Sequence, residues 1–265
     1  MCWDDDEDEI DEEGGIVHLV EDLYPIQLLG FTYRNRPEVQ CNWKTVSFIP
    51  LVARLSKEFG LFEVEARGGL LCEDNGRNVL QNLIFSDGSE RLYNYDDKHY
   101  ESIDGKYLQV LIQLRQMDLL KKEDIQRYEL LDRLCGHSCY FAESYFAEKR
   151  FQFLVEWDPS ALTRISDRGW PHLNSAIYPF GATIRTFQLI FDAGIKYFPK
   201  QKGIHMLFRQ GIGTNGKTPF QIFCEDFGYE QVMKVIEETL IRYSDTPINI
   251  VDALITAAID ENVHL

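Results

Sequence analysis

Three short segments of the chain repeat one pattern, and this self-similarity constrains the fold more than any other feature of the sequence. Each segment has a glycine, an apolar residue four positions later and a side-chain amide directly after it. The three sets are Gly76, Leu80 and Gln81; Gly169, Leu173 and Asn174; and Gly216, Phe220 and Gln221. Internal repeats separated by tens of residues indicate an array of stacked units.

The spacing of the three glycines is irregular and predicts further units. Gly169 and Gly216 are 47 residues apart, and Gly76 lies 93 residues before Gly169, which is close to two such steps. We therefore expect another short opening helix near residue 123 and a further unit after residue 245, with a period of roughly 40–50 residues. We interpret residues 86–105 as a polar spacer and residues 196–214 as an insertion.

Apolar residues recur at helical spacing through most of the chain. Five such stripes contain Phe48, Leu51, Val52, Leu55 and Phe59; Tyr107, Val110, Leu111, Leu114 and Met117; Ala147, Phe151, Leu154 and Val155; Ile184, Phe187, Ile190 and Phe191; and Val232, Val235, Ile236, Thr239 and Leu240. This is the period of an amphipathic α-helix, and no stretch of comparable length shows the period-two alternation of a strand. The sequence therefore predicts an all-α protein.

Charge divides the chain into regions. It carries 43 acidic and 27 basic residues, a formal net charge of −16, and the first 24 residues hold 11 acids and no base. We interpret residues 1–24 as an acidic disordered tail, residues 25–45 as a strap that is either a strand or extended, and residues 46–265 as the helical repeat domain. The chain lacks the basic stripe that a phosphate backbone requires, which argues against nucleic acid as a partner.

From the sequence we expect neither a secretory signal nor a membrane-spanning segment. It opens Met1-Cys2-Trp3 and continues with acids, whereas a signal peptide begins with a basic region and an apolar run. No stretch approaches about 18 uninterrupted apolar residues. The six cysteines are scattered without the spacing of a disulfide framework. We therefore expect a monomeric protein that is cytoplasmic or nuclear and does not contact membranes.

The segment that begins at Gly216 resembles an ankyrin repeat. The run Gly216-Lys217-Thr218-Pro219-Phe220-Gln221 is followed by Gly228 and by the apolar stripe of residues 232–240. This order matches the family's glycine turn, opening helix, glycine and second helix, and residues 169–194 are similar to the same unit. Thr218 can cap the opening helix through its hydroxyl, with proline at the first helical position and glycine supplying a positive φ in the turn.

The resemblance has departures. Only the unit at Gly216 keeps Thr-Pro; the unit at Gly169 has Pro171-His172 in its place, and the unit at Gly76 has Asn78-Val79. The spacing is also longer than the period of about 33 residues usual for ankyrin repeats. A helix-hairpin array of the HEAT or armadillo kind remains the alternative fold, because its period is closer to the one seen here.

The ankyrin resemblance implies a non-enzymatic module that binds another protein. In this family the partner meets the turn tips and the exposed face of the opening helices. Carried over, the tips are Asn75, Arg77, Arg168, Trp170, Asn215 and Lys217, and the helix face includes Gln81, Asn174, Tyr178, Gln221 and Glu225. Trp170 is the best candidate anchor, since aromatic residues dominate many interfaces, although packing against the next turn would account for it equally well.

A rival hypothesis comes from the run of residues 211–218, which satisfies the P-loop pattern G-x-x-x-x-G-K-[ST]. Nucleotide would then be bound by Gly211, Gly216, Lys217 and Thr218. The upstream run of residues 204–208 is strand-like, and residues 189–192 imitate the end of a Mg²⁺-binding strand. A P-loop, however, needs a parallel sheet with crossover helices after it, and the residues that follow read as two helices. We therefore favour a glycine turn into a capped helix.

Other chemistry-bearing patterns are weak. Cys135, His137 and Cys139 supply three possible zinc ligands, but a structural zinc site takes four and no second pair lies at a suitable spacing. The six histidines are dispersed, and the chain has no nucleophile motif such as G-x-S-x-G. We expect no catalytic residues, no metal and no cofactor.

Overall fold

The computed structural model describes residues 24–30, 43–73, 76–84, 97–141, 146–165, 172–173, 183–199, 201–211, 216–243 and 250–261. These ranges form helices joined by turns and contain no β-strand, which confirms the all-α class. In chain order the helices are α1 (Pro25–Gly30), a 3-10 helix (Val46–Phe48), α2 (Ile49–Glu58), α3 (Val79–Ile84), α4 (Asp97–Gln116), α5 (Lys122–Arg127), α6 (Leu130–Phe141), α7 (Glu148–Trp157), a second 3-10 helix (Pro159–Thr163), α8 (Ile184–Tyr197), α9 (Gln201–His205), α10 (Pro219–Phe227), α11 (Tyr229–Arg242) and α12 (Ile250–Asp260). Within the described ranges, none of the helices combines the length and the apolar character needed to cross a membrane.

Four of the five apolar stripes form the core. The stripes of α4, α7, α8 and α11 are buried, except that Met117 and Ile184 at their ends are only partly covered. Leu173 and Leu80, the apolar residues that follow the predicted glycine turns, are fully buried, and Phe220 packs partly buried against the same core. An amphipathic stripe normally faces the protein interior, and these four helices follow that rule.

The fifth stripe, on α2, does not face the core. Phe48, Leu51, Leu55 and Phe59 are exposed, and α2 instead buries the side that carries Ile49, Pro50, Ala53 and Ser56. This buried side packs against α1 and α4. Because α2 has apolar residues on both sides, its periodicity could not decide which side is covered, and the side with the smaller residues packs inward.

The segment interpreted as a strand or extended strap begins as a helix. Pro25 takes the first position of α1, and the Gln27 Oε1 accepts a hydrogen bond from the Tyr24 N–H at 2.9 Å. Ile26 is fully buried, and α1 packs against α2 and α3. A Cβ on Gly30 would lie 2.7 Å from Val79, so glycine allows the two helices to approach closely. Residues 31–42 lie outside the described residues, as does most of the predicted acidic tail.

The two expected insertions are wrong where the structure describes them. Helix α4 begins at Asp97 inside the predicted spacer, and Ile103 and Asp104 are buried there. Within residues 196–214, α9 and the turn after it bury Ile204, Met206, Leu207 and Phe208. Because α4 begins with polar residues and α9 is short, the sequence pattern did not indicate a helix in either segment.

Helices contact partners that are near in the chain. Helix α3 packs against α6, α4 against α7, α8 against α11 and α9 against α12. Among the described helices, each substantial contact joins two helices that are at most three apart in chain order. The chain therefore builds its core progressively from one end toward the other.

Candidate functional site

The predicted glycine turns have the predicted conformation where the structure describes them. Gly76 has φ +73° and Gly216 has φ +77°, both in the left-handed region that favours glycine. A Cβ at either position would meet no atom within 4 Å, so the backbone angle and not the available space calls for glycine. Gly169 lies outside the described residues.

Each described turn leads into a helix that is capped reciprocally. The Thr218 Oγ1 accepts from the Gln221 N–H at 3.2 Å, and the Gln221 Oε1 accepts from the Thr218 N–H at 3.0 Å. Asn78 and Gln81 exchange the same two hydrogen bonds, both at 2.9 Å. These are capping boxes that satisfy N–H groups left unpaired at a helix start. The predicted cap at Thr218, with Pro219 at the first helical position, is confirmed.

This geometry changes the interpretation of the amides. Gln81 is only 5% exposed, so the expectation that it lies on an exposed face is wrong. Gln221 is half-buried, and its side-chain oxygen is held by the cap. The amide that recurs after the glycine is therefore present because the helix needs a cap, and its recurrence alone does not indicate a binding surface.

Two further helices begin in a related way. At α1, Gln27 accepts from the Tyr24 N–H, and at α5 the Asp124 Oδ2 accepts from the Lys121 N–H at 2.7 Å. Asp124 also pairs with the guanidinium of Arg67. Helix α5 lies where the glycine spacing predicted a short helix near residue 123, so the presence of a helix at this position is confirmed.

The remaining predicted tip and helix-face residues are only partly described. Lys217 and Glu225 are both exposed, and the Lys217 Nζ lies 2.6 Å from the Glu225 Oε2, so the structure joins two predicted surface residues in an ion pair. Arg77 is half-buried. The other predicted residues, namely Asn75, Arg168, Trp170, Asn174, Tyr178 and Asn215, lie outside the described residues.

The surroundings of the P-loop pattern do not suit nucleotide binding. Residues 204–208 are the end of α9 and a turn, and Asp192 lies within α8, where it accepts from Arg242 and Tyr243. Thr218 is fully buried, and its hydroxyl takes part in the cap. A P-loop would use this hydroxyl on Mg²⁺ after a strand, and the described residues contain no strand. Gly211 and Gly216 are described, but residues 212–215 between them are not.

Three adjoining hollows form what we call the furrow. The first, of about 660 Å³, lies between Glu65, Cys72, Glu73, Gly76, Gln81, Arg127, Glu129 and Arg133. The second, of about 280 Å³, is lined by residues that include Arg127, Glu129, Asp132, Arg164 and His172. The third, of about 390 Å³, is lined by residues that include Thr163, Arg164, His205, Arg209 and Glu261. Arg127 and Glu129 line both the first and the second hollow, and Arg164 lines both the second and the third, so each hollow adjoins the next.

The furrow carries both signs of charge. Its arginines are Arg127, Arg133, Arg164 and Arg209, and its carboxylates are Glu65, Glu73, Glu129, Asp132 and Glu261. The Arg133 Nε donates to the Tyr128 carbonyl at 3.2 Å, and the Arg209 Nη1 donates to the Thr163 carbonyl at 3.0 Å. These contacts hold two of the guanidinium groups in place at the furrow wall. The furrow therefore offers both donors and acceptors in fixed positions.

Two residues mark the second hollow. Glu129 has φ +51°, a conformation that costs energy for a residue other than glycine, and it lies where the first two hollows meet. His172 is 4% exposed, its Nε2 donates to the Ala161 carbonyl at 2.6 Å, and its Nδ1 lies 3.4 Å from the Asp132 Oδ1. The imidazole is thus held between the second 3-10 helix and α6.

Two observations bear on the chemistry available in the furrow. Burial, with a smaller contribution from Glu63, raises the pKa of the Cys72 thiol in the first hollow, which disfavours the nucleophilic thiolate. In the described part of the chain, no three His, Cys, Asp or Glu side chains come together as a metal would need. The furrow can bind through hydrogen bonds and charge, but the described geometry gives it no nucleophile with an adjacent base.

Sequence reasoning missed the arginines of the furrow. Arg127 ends the opening helix expected near residue 123, whereas Arg164 and Arg209 follow short helices that carried no recognised pattern. Only the position of Arg127 could have been anticipated from the repeat. No protein-family model matches the chain, and it has no match among curated proteins or solved structures. The function is therefore inferred from the geometry of the described residues.

Proposed function

We propose that the chain is a non-enzymatic protein–protein interaction module whose units stack as an irregular ankyrin-like array. The observation that carries the proposal is the furrow, because its three hollows lie in a row. The first and second hollows share Arg127 and Glu129, and the second and third share Arg164. Stacked-repeat proteins characteristically bind their partners along such extended surfaces.

Two features of the helices support a repeating architecture. Helices α1, α3, α5 and α10 each begin with a Gln or Asp at the third helical position that accepts from the backbone N–H three residues earlier. The substantial contacts between described helices are also local in the chain, as expected when each unit packs mainly on its neighbours. The uneven spacing of these capping residues makes the proposed array irregular.

The charges of the furrow favour an extended polypeptide segment as the ligand. Fixed guanidinium groups donate well to backbone carbonyls and carboxylates, and the intervening carboxylates accept from backbone N–H groups or basic side chains. Nucleic acid would instead require a surface dominated by basic residues. The ankyrin resemblance adds Arg168, Trp170 and Lys217 as further candidate contact residues.

The test begins with capture of partners on the immobilised full-length chain, followed by mass spectrometry, and continues with affinity measurements on the purified pair. We expect Arg127→Ala and Arg164→Ala each to weaken binding by about tenfold or more, because arginine is a frequent hot-spot residue. Lys234→Ala is the matched control, since Lys234 is exposed on α11 and does not line the furrow. Its affinity should stay within about twofold of the wild type.

Three results would count against the proposal. Unchanged affinity in both arginine variants would remove the furrow from the interface. Loss of binding in Trp170→Ala and Arg168→Ala alone, with stability unchanged, would place the interface on the tips. Binding of MgATP by the wild type and its loss in Lys217→Ala would favour the P-loop alternative, since that lysine contacts the phosphates in a P-loop.

A further inference from the structure

The outward side of α2 and of the turn after it is a large apolar surface, which we call the α2 face. Its members are Phe48, Leu51, Leu55, Phe59, Leu61 and Val64, which are 53%, 45%, 38%, 71%, 66% and 78% exposed. At about 100 Å² of exposed area for each side chain, the α2 face presents roughly 600 Å². This is the upper end of what a monomer normally leaves uncovered.

A second apolar surface lies on α12. Val251, Ile255 and Ile259 are spaced by four residues and are 59%, 41% and 65% exposed; we call them the α12 face. The other side of the same helix buries Leu254, Ala257 and Ala258, and α12 packs against α9. A helix that is apolar on both sides is typical of one that is covered on both sides.

The two faces lie beside opposite ends of the furrow, because Glu65 lines the first hollow and Glu261 the third. Helix α2 packs against α1 and α4, whereas α12 packs against α9. Terminal units of a helical array normally present a polar outer face. Helices α2 and α12 each present an apolar outer side instead, so each offers the kind of surface on which another helix could pack.

The two helices that carry the faces differ in the sign of their net charge. Residues 43–59 contain Lys44, Arg54 and Lys57 against a single acid, Glu58, in a chain that is acidic overall. Residues 250–261 contain Asp252, Asp260 and Glu261 and no base. His205 lies 3.5 Å from Asp260 and 3.2 Å from Glu261, which leaves the α12 end acidic in net charge. Glu63 and Glu65 follow α2, so the basic part of the first surface is at α2 itself.

We propose that the α12 face of one copy of this chain packs against the α2 face of a second copy, so that copies associate head to tail. The smaller α12 face limits the contact to about 300 Å² of apolar area on each copy, and if apolar atoms make up about 60% of the contact, the interface buries roughly 1,000 Å², the lower limit for a specific interface. Because the two faces differ, the contact is heterologous and continues into a ring or a filament. This goes beyond the proposed function and replaces the expectation of a monomer.

The test is a mixing experiment on the full-length chain by sedimentation velocity. Leu51→Glu disables the α2 face and Ile259→Glu disables the α12 face, and each variant keeps the other face intact. Ile241→Glu is the matched control, because Ile241 is 68% exposed on α11 and belongs to neither face. Circular dichroism checks that each variant keeps its helix content, and Val251→Glu replaces Ile259→Glu if that variant unfolds.

We expect the wild type and Ile241→Glu to exceed 30.9 kDa, the mass of one chain, increasingly as concentration rises. Leu51→Glu and Ile259→Glu should each stay monomeric alone and form a dimer of twice that mass when mixed, because one intact pair of faces remains. A wild type that stays monomeric up to about 1 mM, the weak end of specific association, overturns the proposal. Association of either single variant overturns it as well, because that result indicates a symmetric contact, and so does a mixture that stays monomeric.

Discussion

A buried ion pair gives the sharpest prediction about stability. Arg150 of α7 and Asp104 of α4 are both fully buried, with the Arg150 Nε 2.7 Å from the Asp104 Oδ1. The Arg150 Nη1 also donates to the carbonyls of Leu83 and Ile84, at 3.0 and 2.9 Å, which are in the last turn of α3. One guanidinium therefore ties together the three helices α3, α4 and α7.

The perturbation is Asp104→Leu, and its cost follows from the contacts that are lost. The Asp104 Oδ1 accepts from Arg150, and the Asp104 Oδ2 accepts from the Lys149 N–H at 2.8 Å. Hydrogen bonds to a charged group contribute about 1.5–3 kcal/mol each, and the substitution also leaves a buried guanidinium without its counter-charge. We expect the free energy of unfolding to fall by about 3–5 kcal/mol.

The assay is urea unfolding of the full chain, followed by circular dichroism, for Asp104→Leu, Arg150→Met and the double variant. The double variant should cost at least about 2 kcal/mol less than the sum of the two single variants, because it leaves no unpaired buried charge. The matched control is Glu101→Gln. Glu101 pairs with Lys149 at 3.0 Å between the same two helices, but both side chains are largely exposed. An exposed pair contributes at most about 1 kcal/mol.

If Asp104→Leu lowers the free energy of unfolding by no more than Glu101→Gln does, burial of the ion pair does not make it important for stability. Additive costs in the double variant would contradict the prediction too, because the two charges would then not depend on each other. A changed urea m-value would show that the unfolding reaction itself has changed, and the comparison would then use the midpoint of thermal unfolding for the same variants.

Three further predictions concern the units and the thiols. Leu173→Ala should lower the free energy of unfolding by about 2–5 kcal/mol, because Leu173 is fully buried, and an unchanged urea midpoint would contradict its place in the core. Thr218→Ala should cost about 1 kcal/mol through loss of the cap, measured the same way. Burial raises the pKa of the Cys224 thiol to about 11. Its thiolate fraction at pH 8 is then about 100-fold below that of an ordinary thiol, and since a more basic thiolate is more nucleophilic, alkylation followed by mass spectrometry should be about tenfold slower. A rate equal to that of the denatured chain would contradict this.

The parts of the fold that the sequence predicts are those decided by local chemistry. A helix with one apolar stripe, such as α11, could be recognised because only one side of it can be buried. The turn at Gly216 and the cap at Thr218 were equally accessible, since both depend on residues within a few positions of each other. Local rules failed at α2, where two sides of one helix are apolar and the choice between them depends on α1 and α4.

The ion pair shows a second kind of limit. Arg150 lies in the same helical stripe as Ala147, Phe151 and Leu154. Because residues at this spacing share one side of a helix, its position indicates that its charge is buried with them. Its partner Asp104 falls in the segment that composition marked as a polar spacer. A buried charge needs a partner, but the sequence does not say which of the chain's 43 acidic residues supplies it. The arginines of the furrow were missed for the same reason, since their proximity is a property of the packed helices.

The positions of the furrow and the two end faces connect the two proposals. Glu65 lines the first hollow and follows Val64 of the α2 face, whereas Glu261 lines the third hollow and lies two residues after Ile259 of the α12 face. The furrow thus begins beside one proposed contact surface and ends beside the other. If copies join through those faces, the third hollow of one copy comes close to the first hollow of the next, and a ligand longer than one furrow could bind both. Such a ligand would gain affinity from the second site without any new kind of contact, so that association of the chain would select for long partners.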